Sequence, residues 1–281
     1  MLSTATSDTL RLGRTTHRLG SRTLVMGILN VTPDSFSDGG TFIDPATAIA
    51  HAERMVEAGA DIIDIGGEST RPGHKEISAE EECVRVLPVI ARLVKSIAVP
   101  ISIDTMKAGV AEAALEAGAN IVNDVWGLQR DPDMAGVVAR HGATLVAMHN
   151  RAEIDADIDI MADIRTFFAR TLEIAAKAGI ADDRIVLDPG IGFGKTVEQN
   201  LDILARFSEL KLLGKPLLIG TSRKSTIGKV LDRPVGERLY GTIATNVIAI
   251  AGGADIVRVH DIAELVDAVR MTDAVVRRSH G

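Results

Sequence analysis

Glu57-Ala58-Gly59-Ala60-Asp61-Ile62-Ile63-Asp64 returns as Glu116-Ala117-Gly118-Ala119-Asn120-Ile121-Val122-Asn123 and as Ala251-Gly252-Gly253-Ala254-Asp255-Ile256-Val257-Arg258. A fainter copy runs His141-Gly142-Ala143-Thr144-Leu145-Val146-Ala147. Each copy ends an apolar-periodic helix, sets a glycine where the chain turns left-handed after the helix, and opens a short β-branched strand. A repeating unit outranks any single motif as evidence of fold.

Outward from these copies, strands read at roughly 23–30, 60–66, 100–104, 120–125, 144–149, 185–189, 216–221 and 254–259, with helices filling the gaps. Asp44-Pro45 and Asp131-Pro132 each give an N-cap followed by proline at the first helical position. Ser78-Ala79-Glu80-Glu81 and Thr196-Val197-Glu198-Gln199 fit the capping box. The helix after Ser78 puts Cys83, Val86, Leu87, Ile90, Leu93, Val94 and Ile97 on one stripe, and Pro88 is expected to bend it. Eight strands alternating with eight helices predict an α/β fold, a single (β/α)8 TIM barrel over 23–281. A doubly wound open sheet is the competing topology. Residues 1–22 are polar and basic, with weak alternation from Thr9 to Leu19, and read as an N-terminal extension with a short hairpin.

The totals exclude several classes. Of the 281 residues 46% are apolar, enough for a large core, and the 3% aromatic content suits helices packed on a parallel sheet. A formal charge of -7 argues against nucleic-acid binding. One cysteine, Cys83, excludes an intramolecular disulfide and thiolate metal sites. No apolar run reaches the ~18 residues of a membrane span, and no hydrophobic signal segment opens the chain. The sequence reads as a soluble, cytoplasmic protein.

In a barrel the site collects at the C-terminal ends of the strands. Those ends deliver Asn30, Glu68 to Arg71, Asp104, Asn123 with Asp124, Met148 with His149, Asp188, Ser222 to Lys224, and Arg258 with His260. Asp104, Asn123 and Asp188 supply two acidic acceptors and an amide, which suits a flat heterocycle with an amino-pyrimidinone edge. Asp64, Glu68 and Asp124 read as structural. Arg71, Lys224, Arg258 and His260 form a cationic group fit for a diphosphate. Asn30 offers a carboxamide oxygen to magnesium, and the absence of paired imidazoles and thiolates excludes zinc. The polar stretch Asn30 to Gly40 is longer than a simple connector needs. Gly190-Ile191-Gly192-Phe193-Gly194-Lys195 has neither Walker nor dinucleotide spacing.

Seven blocks in order resemble one family, the dihydropteroate synthases of folate biosynthesis. They are Asn30 to Gly40, Gly66 to Gly73, Ser102-Ile103-Asp104-Thr105, Asn123-Asp124-Val125, Asp188 to Phe193, Ser222-Arg223-Lys224-Ser225, and Arg258-Val259-His260-Asp261, within a similarity covering roughly 24–278. The resemblance implies a (β/α)8 barrel transferase that joins 6-hydroxymethyl-7,8-dihydropterin diphosphate to p-aminobenzoate, with Mg2+, as a homodimer that sulfonamides inhibit. It implies that Asp104, Asn123, Met148, Asp188, Phe193 and Lys224 hold the pterin. Asn30, Arg71, Arg258 and His260 would hold the diphosphate, with the metal on Asn30. Thr70, Pro72, Phe193 and Ser225 would line the p-aminobenzoate pocket, with Lys224 at its border. Thr32, Asp34, Phe36 and Arg71 would close over the site, and Asp34, Arg71 and Lys224 would serve catalysis. After the fifth strand the family usually runs from Met-His toward a glycine-containing stretch ending in Met-Gln, whereas this chain reads Met148-His149-Asn150-Arg151-Ala152. A barrel methyltransferase that takes a methyl from a reduced folate would share the pterin group without the diphosphate group. A non-catalytic pterin-binding or regulatory protein would bind without turnover.

Overall fold

The computed structural model of the chain describes residues 8–32, 45–68 and 76–278. An antiparallel hairpin, β1 (Thr9–Leu12) and β2 (Thr15–Arg18), precedes an eight-stranded parallel sheet. The sheet strands are β3 (Leu24–Asn30), β4 (Ile62–Gly66), β5 (Ile101–Asp104), β6 (Ile121–Asp124), β7 (Thr144–Met148), β8 (Ile185–Asp188), β9 (Leu218–Ile219) and β10 (Ile256–Val259). Neighbours run in chain order from β3 to β8, and β10 pairs with both β3 and β9. The ring closes where Leu187 and Leu217 bridge in parallel. The fold is therefore the expected (β/α)8 barrel and not an open sheet.

Helices α1 (Pro45–Glu57), α2 (Ala79–Ser96), α3 (Ala108–Glu116), α4 (Met134–His141), α5 (Ile160–Ala178), α6 (Val197–Ala205), α7 (Ser225–Leu231), α8 (Leu239–Ala251) and α9 (Ile262–Val276) follow the strands in turn. Two helices, α7 and α8, follow β9, so the helices among the described residues exceed the expected eight, and β9 is shorter than the expected strand.

The repeat that announces the fold works in two ways. At Gly59, Gly118 and Gly253 φ is +105°, +112° and +100°. The next residue donates its N–H to the carbonyl five residues back in each copy: Ala60 to Met55, Ala119 to Ala114, and Ala254 to Ala249, at 2.9 Å each. That closes the orphan carbonyls of the helix end. The acidic or amide residue that follows is a clamp. Asp61 accepts from Val25 N at 2.9 Å, Asn120 from Ile101 N at 3.2 Å and Asp255 from Leu217 N at 3.0 Å. Each donor stands at the start of the preceding strand, so the repeat ties neighbouring strands at the barrel's lower end.

Two sequence readings are corrected. In α2 the buried face carries Val86, Val89, Ile90 and Leu93, while Val94 is 43% exposed. The stripe is rotated because Glu82, only 1% exposed, lies on that face, where Lys107 donates to it at 2.6 Å and also bonds Glu68. A paired charge has displaced an apolar position. Pro88 lies inside the helix without ending it. Asp131 does not cap a helix starting at Pro132; α4 begins at Met134, and Asp131 instead accepts from Ala108 N at 2.8 Å and Asp133 N at 3.0 Å. Ser78 and Thr196 cap α2 and α6 as expected, Thr196 with the full capping box.

The barrel interior divides by height. Its lower part is apolar: Leu24, Met26, Ile62, Ile121, Val146, Val186, Leu218 and Ile256 form one buried cluster with Leu10 and Leu12 of β1. The hairpin thus plugs the lower mouth. The strands' other faces, with Ile63, Ile103, Val122 and Val257 among them, pack on the helices in the main core. Among the described residues no helix is long and apolar enough to cross a membrane. Leu10 is fully buried, so Leu10→Ala is expected to cost about 2–5 kcal/mol of stability in chemical denaturation. Ligand affinity at the opposite mouth should be unchanged in the folded protein.

Candidate active site

Above the apolar layer the same period-2 alternation points polar side chains inward. Asp64 of β4, Asp104 of β5, Asn123 of β6, Asp188 of β8 and Arg258 of β10 converge there. Arg258 Nε donates to Asp64 Oδ2 at 2.6 Å, and Arg258 Nη2 donates to Asp104 Oδ2 at 2.6 Å. Asn123 Nδ2 donates to Asp64 Oδ2 at 3.0 Å. Asp64, Asp104, Asn123 and Asp188 are all buried, none more than 7% exposed. Asp64 Oδ1 and Asp104 Oδ1 are buried without a hydrogen-bond partner among the described residues, so both carboxylates keep acceptor capacity.

Burial raises the Asp104 carboxyl to about 7, with Asp64 adding to the effect and Arg258 opposing it. Asp188 is raised by burial too, against the pull of Lys224 and its bond from Gly190 N at 2.8 Å. Arg258 loses solvent, yet Asp64 and Asp104 more than compensate and hold it charged. Lys224, at the start of α7, is lowered by burial to about 8, with Asp188 opposing. Its amine donates to the Ile191 carbonyl and lies 4.7 Å from the centre of the Phe193 ring. Beside this polar edge Met106, Val125 and Met148, with Trp126 and Phe193 packed against them, form a small apolar wall.

Around the rim, Asn30 ends β3 half-buried, and Thr32 follows it, also half-buried. His260 Nδ1 shares a hydrogen bond with Ser222 Oγ at 2.9 Å, and His260 N donates to the same oxygen at 3.2 Å. Ser225 opens α7 and is exposed. Arg223 pairs with Asp261 through both ends of its guanidinium, Nε to Oδ2 at 3.0 Å. Asp34, Phe36, Thr70, Arg71 and Pro72 lie outside the described residues.

The structure thus brings Asp104, Asn123, Asp188, Lys224, Phe193 and Met148 to one mouth, with Asn30, His260 and Ser225 at its rim. Arg258 joins the carboxylates of the heterocycle-binding group instead of standing apart with the other cations. Asp124 is structural, as expected: its two oxygens accept from Trp126 N at 2.9 Å and Leu128 N at 2.6 Å. Sequence reasoning missed Asp64 as the partner that aims both Arg258 and Asn123. It also missed Lys195, whose only signal was a lysine closing a glycine-rich run.

Acceptors on two sides, a lysine donor, an amide and an apolar wall define a barrel enzyme that reads the edge of a flat polar ring. The family model described as "pterin binding enzyme" matches residues 26–260. The dihydropteroate synthase of Clostridium beijerinckii is 51% identical over 270 residues, covering 96% of this chain and 100% of that protein. Among solved structures, dihydropteroate synthase from Clostridium difficile in the presence of pteroic acid matches with a TM-score of 0.90 and 56% identity, over 92% of this chain and 99% of that one. The Yersinia pestis dihydropteroate synthase in a sulfonamide drug complex matches with a TM-score of 0.88 and 44% identity, over 95% and 98%. The chain belongs to the dihydropteroate synthases of the pterin-binding enzyme family.

The raised Asp104 carboxyl has a consequence for stability. The folded state holds that proton more tightly than the unfolded chain, so stability falls as pH rises from about 4 toward about 7. Asp104→Asn removes the titration. In denaturant melts across that window, the wild type is expected to lose stability relative to Asp104→Asn as pH rises, and parallel curves would count against it.

Proposed function

We propose that the chain joins 6-hydroxymethyl-7,8-dihydropterin diphosphate to p-aminobenzoate, giving 7,8-dihydropteroate and diphosphate. The observation that carries this reading is the convergence of Asp104, Asn123, Asp188 and Lys224 on one buried mouth beside an apolar wall. The ring's N–H donors meet Asp104 and Asp188, its carbonyl meets Lys224, and Asn123 adds an amide. Met148 and Phe193 pack on its faces. A ring held this way presents its methylene toward the rim.

Asn30 and His260 at the rim, together with Arg71 and with Arg258 from its place between Asp64 and Asp104, hold the diphosphate. Charge develops on the leaving oxygen as the C–O bond breaks, and fixed cations stabilise it most where water is excluded. Asp104 and Asp188 balance the cationic character left on the pterin; the amine of p-aminobenzoate then forms the C–N bond and gives up one N–H proton, which leaves with the released diphosphate. Thr70, Pro72, Phe193 and Ser225 line the p-aminobenzoate pocket, the place a sulfonamide would compete for. Thr32, Asp34, Phe36 and Arg71 belong to the segments that close over the reactants, and Asp34 assists the cation or the amine.

Magnesium fits Asn30 in one way only. Among the described residues no group of three or more His, Cys, Asp or Glu side chains is arranged to hold a metal. A half-buried carboxamide at the rim would suit a hard cation that takes few protein ligands, with Asn30 as the residue that would hold it. When bound, magnesium would supply positive charge to the departing diphosphate. We further infer a cytoplasmic homodimer built on the later helices, where Val230, Leu231, Tyr240 and Ile248 expose apolar surface.

The reading is tested by diphosphate release from the purified protein supplied with dihydropterin diphosphate and magnesium. Release that depends on p-aminobenzoate and yields dihydropteroate is expected; pterin binding without product would contradict it. Lys224→Ala is expected to lower kcat/KM roughly 100-fold or more, the scale of one lost charge-stabilising donor, with the melting curve still cooperative. Chelation of magnesium is expected to abolish diphosphate release and leave the fold intact by circular dichroism.

A further inference from the structure

We propose that Lys195 is a positioning residue: its buried ammonium fixes the loop Gly190–Lys195 so that Ile191 and Phe193 hold Lys224 in place for the pterin. The proposal rests on the assignment of the mouth to a pterin. Lys195 is 5% exposed and directs its amine at three backbone carbonyls, Gly190 O at 2.8 Å, Phe193 O at 2.9 Å and His149 O at 3.4 Å. An ammonium has three N–H donors, so each carbonyl receives one. Two of these carbonyls belong to the loop after β8 and the third to the loop after β7. The lysine therefore fastens one loop to the other.

The loops touch so closely that side chains are excluded between them. A Cβ on Gly190 would lie 2.0 Å from His149 O, and one on Gly194 would lie 2.4 Å from Arg151 O, with φ at +69° and +57°. The underlying loop is itself braced. Asp163 of α5 bonds His149 Nε2 at 3.0 Å and Arg151 Nη1 at 2.8 Å. Burial and the neighbouring Lys195 push the His149 imidazole down to about 3, so it is neutral. Farther along, Gly192 N donates to Asn200 Oδ1 at 2.7 Å, anchoring the loop to α6.

What the loop then offers is support for Lys224. The Ile191 carbonyl accepts from the Lys224 amine, the Phe193 ring lies beneath that amine, and a Cβ on Gly192 would stand 3.3 Å from Lys224 Cδ. Burial lowers Lys195 to about 7; Asp188 and Asp163 raise it, and Lys224 and Arg151 lower it further. The lysine is used for its donors where no ligand reaches it, which is the work of a support for a residue that does touch ligand.

The test is equilibrium binding of 6-hydroxymethylpterin, followed by its fluorescence, to the wild type, Lys195→Met and Gly194→Ala, with thermal melts alongside. Gly194→Ala pushes the same loop off the Arg151 carbonyl while leaving Lys195 in place, so it serves if Lys195→Met fails to fold. Folded variants are expected to bind the pterin about 10- to 100-fold more weakly, the range over which supporting contacts act. A lowered melting temperature with wild-type pterin affinity would mean a role in stability alone and would overturn the proposal. If the wild type itself ignores the pterin, the functional reading fails and the inference falls with it.

Discussion

The guanidinium of Arg258, held between Asp64 and Asp104 inside a barrel, is the interaction on which the site depends. Two carboxylates so deeply buried would repel each other and lose their hydration. A single arginine engages both through separate N–H groups at 2.6 Å. Because Asp64 also receives Asn123, one pairing fixes groups from β4, β5, β6 and β10 at once. Removing one member would leave the others buried and uncompensated, which costs more than the pair contributes. The arrangement gives up stability in exchange for a fixed polar edge.

That edge can exist because the rest of the barrel is arranged to carry it. Below it the interior is filled by apolar side chains and stoppered by Leu10 and Leu12, so the charges are backed by a buried apolar layer. The repeated Asp61, Asn120 and Asp255 clamps lock strand starts in register, and a one-residue slip would turn the functional groups to the helix side. Stability is concentrated at one end of the barrel and chemistry at the other, and the same alternation of side chains along each strand serves both.

Much of this was legible in the chain. The glycine after each helix, the β-branched strand behind it and the polar residue at each strand end gave the barrel, its order and most of the mouth. What escaped was whatever depends on pairing across the ring. The stripe of α2 could not show that Glu82 lies on its buried face, because Lys107, which pairs with it, comes from another part of the chain. The pairing of Arg258 was hidden because nothing local tells that Asp64 and Asp104 face it from other strands. Lys195 looked like the debris of a failed nucleotide motif, since its three acceptors are carbonyls, which every residue has. The Asp131 cap failed because one oxygen is engaged by a neighbouring helix start, at Ala108 N, and the other by Asp133 N.

If the raised carboxylates of the mouth are what receives the ring's N–H groups, binding must favour their ionised form. Calorimetric titration with 6-hydroxymethylpterin, in buffers of different ionisation enthalpy just below the Asp104 value of about 7, measures this directly. Net proton release on binding, lost in Asp104→Asn, is the predicted result. Binding of undiminished affinity in Asp104→Asn, with no proton released by the wild type, would contradict it.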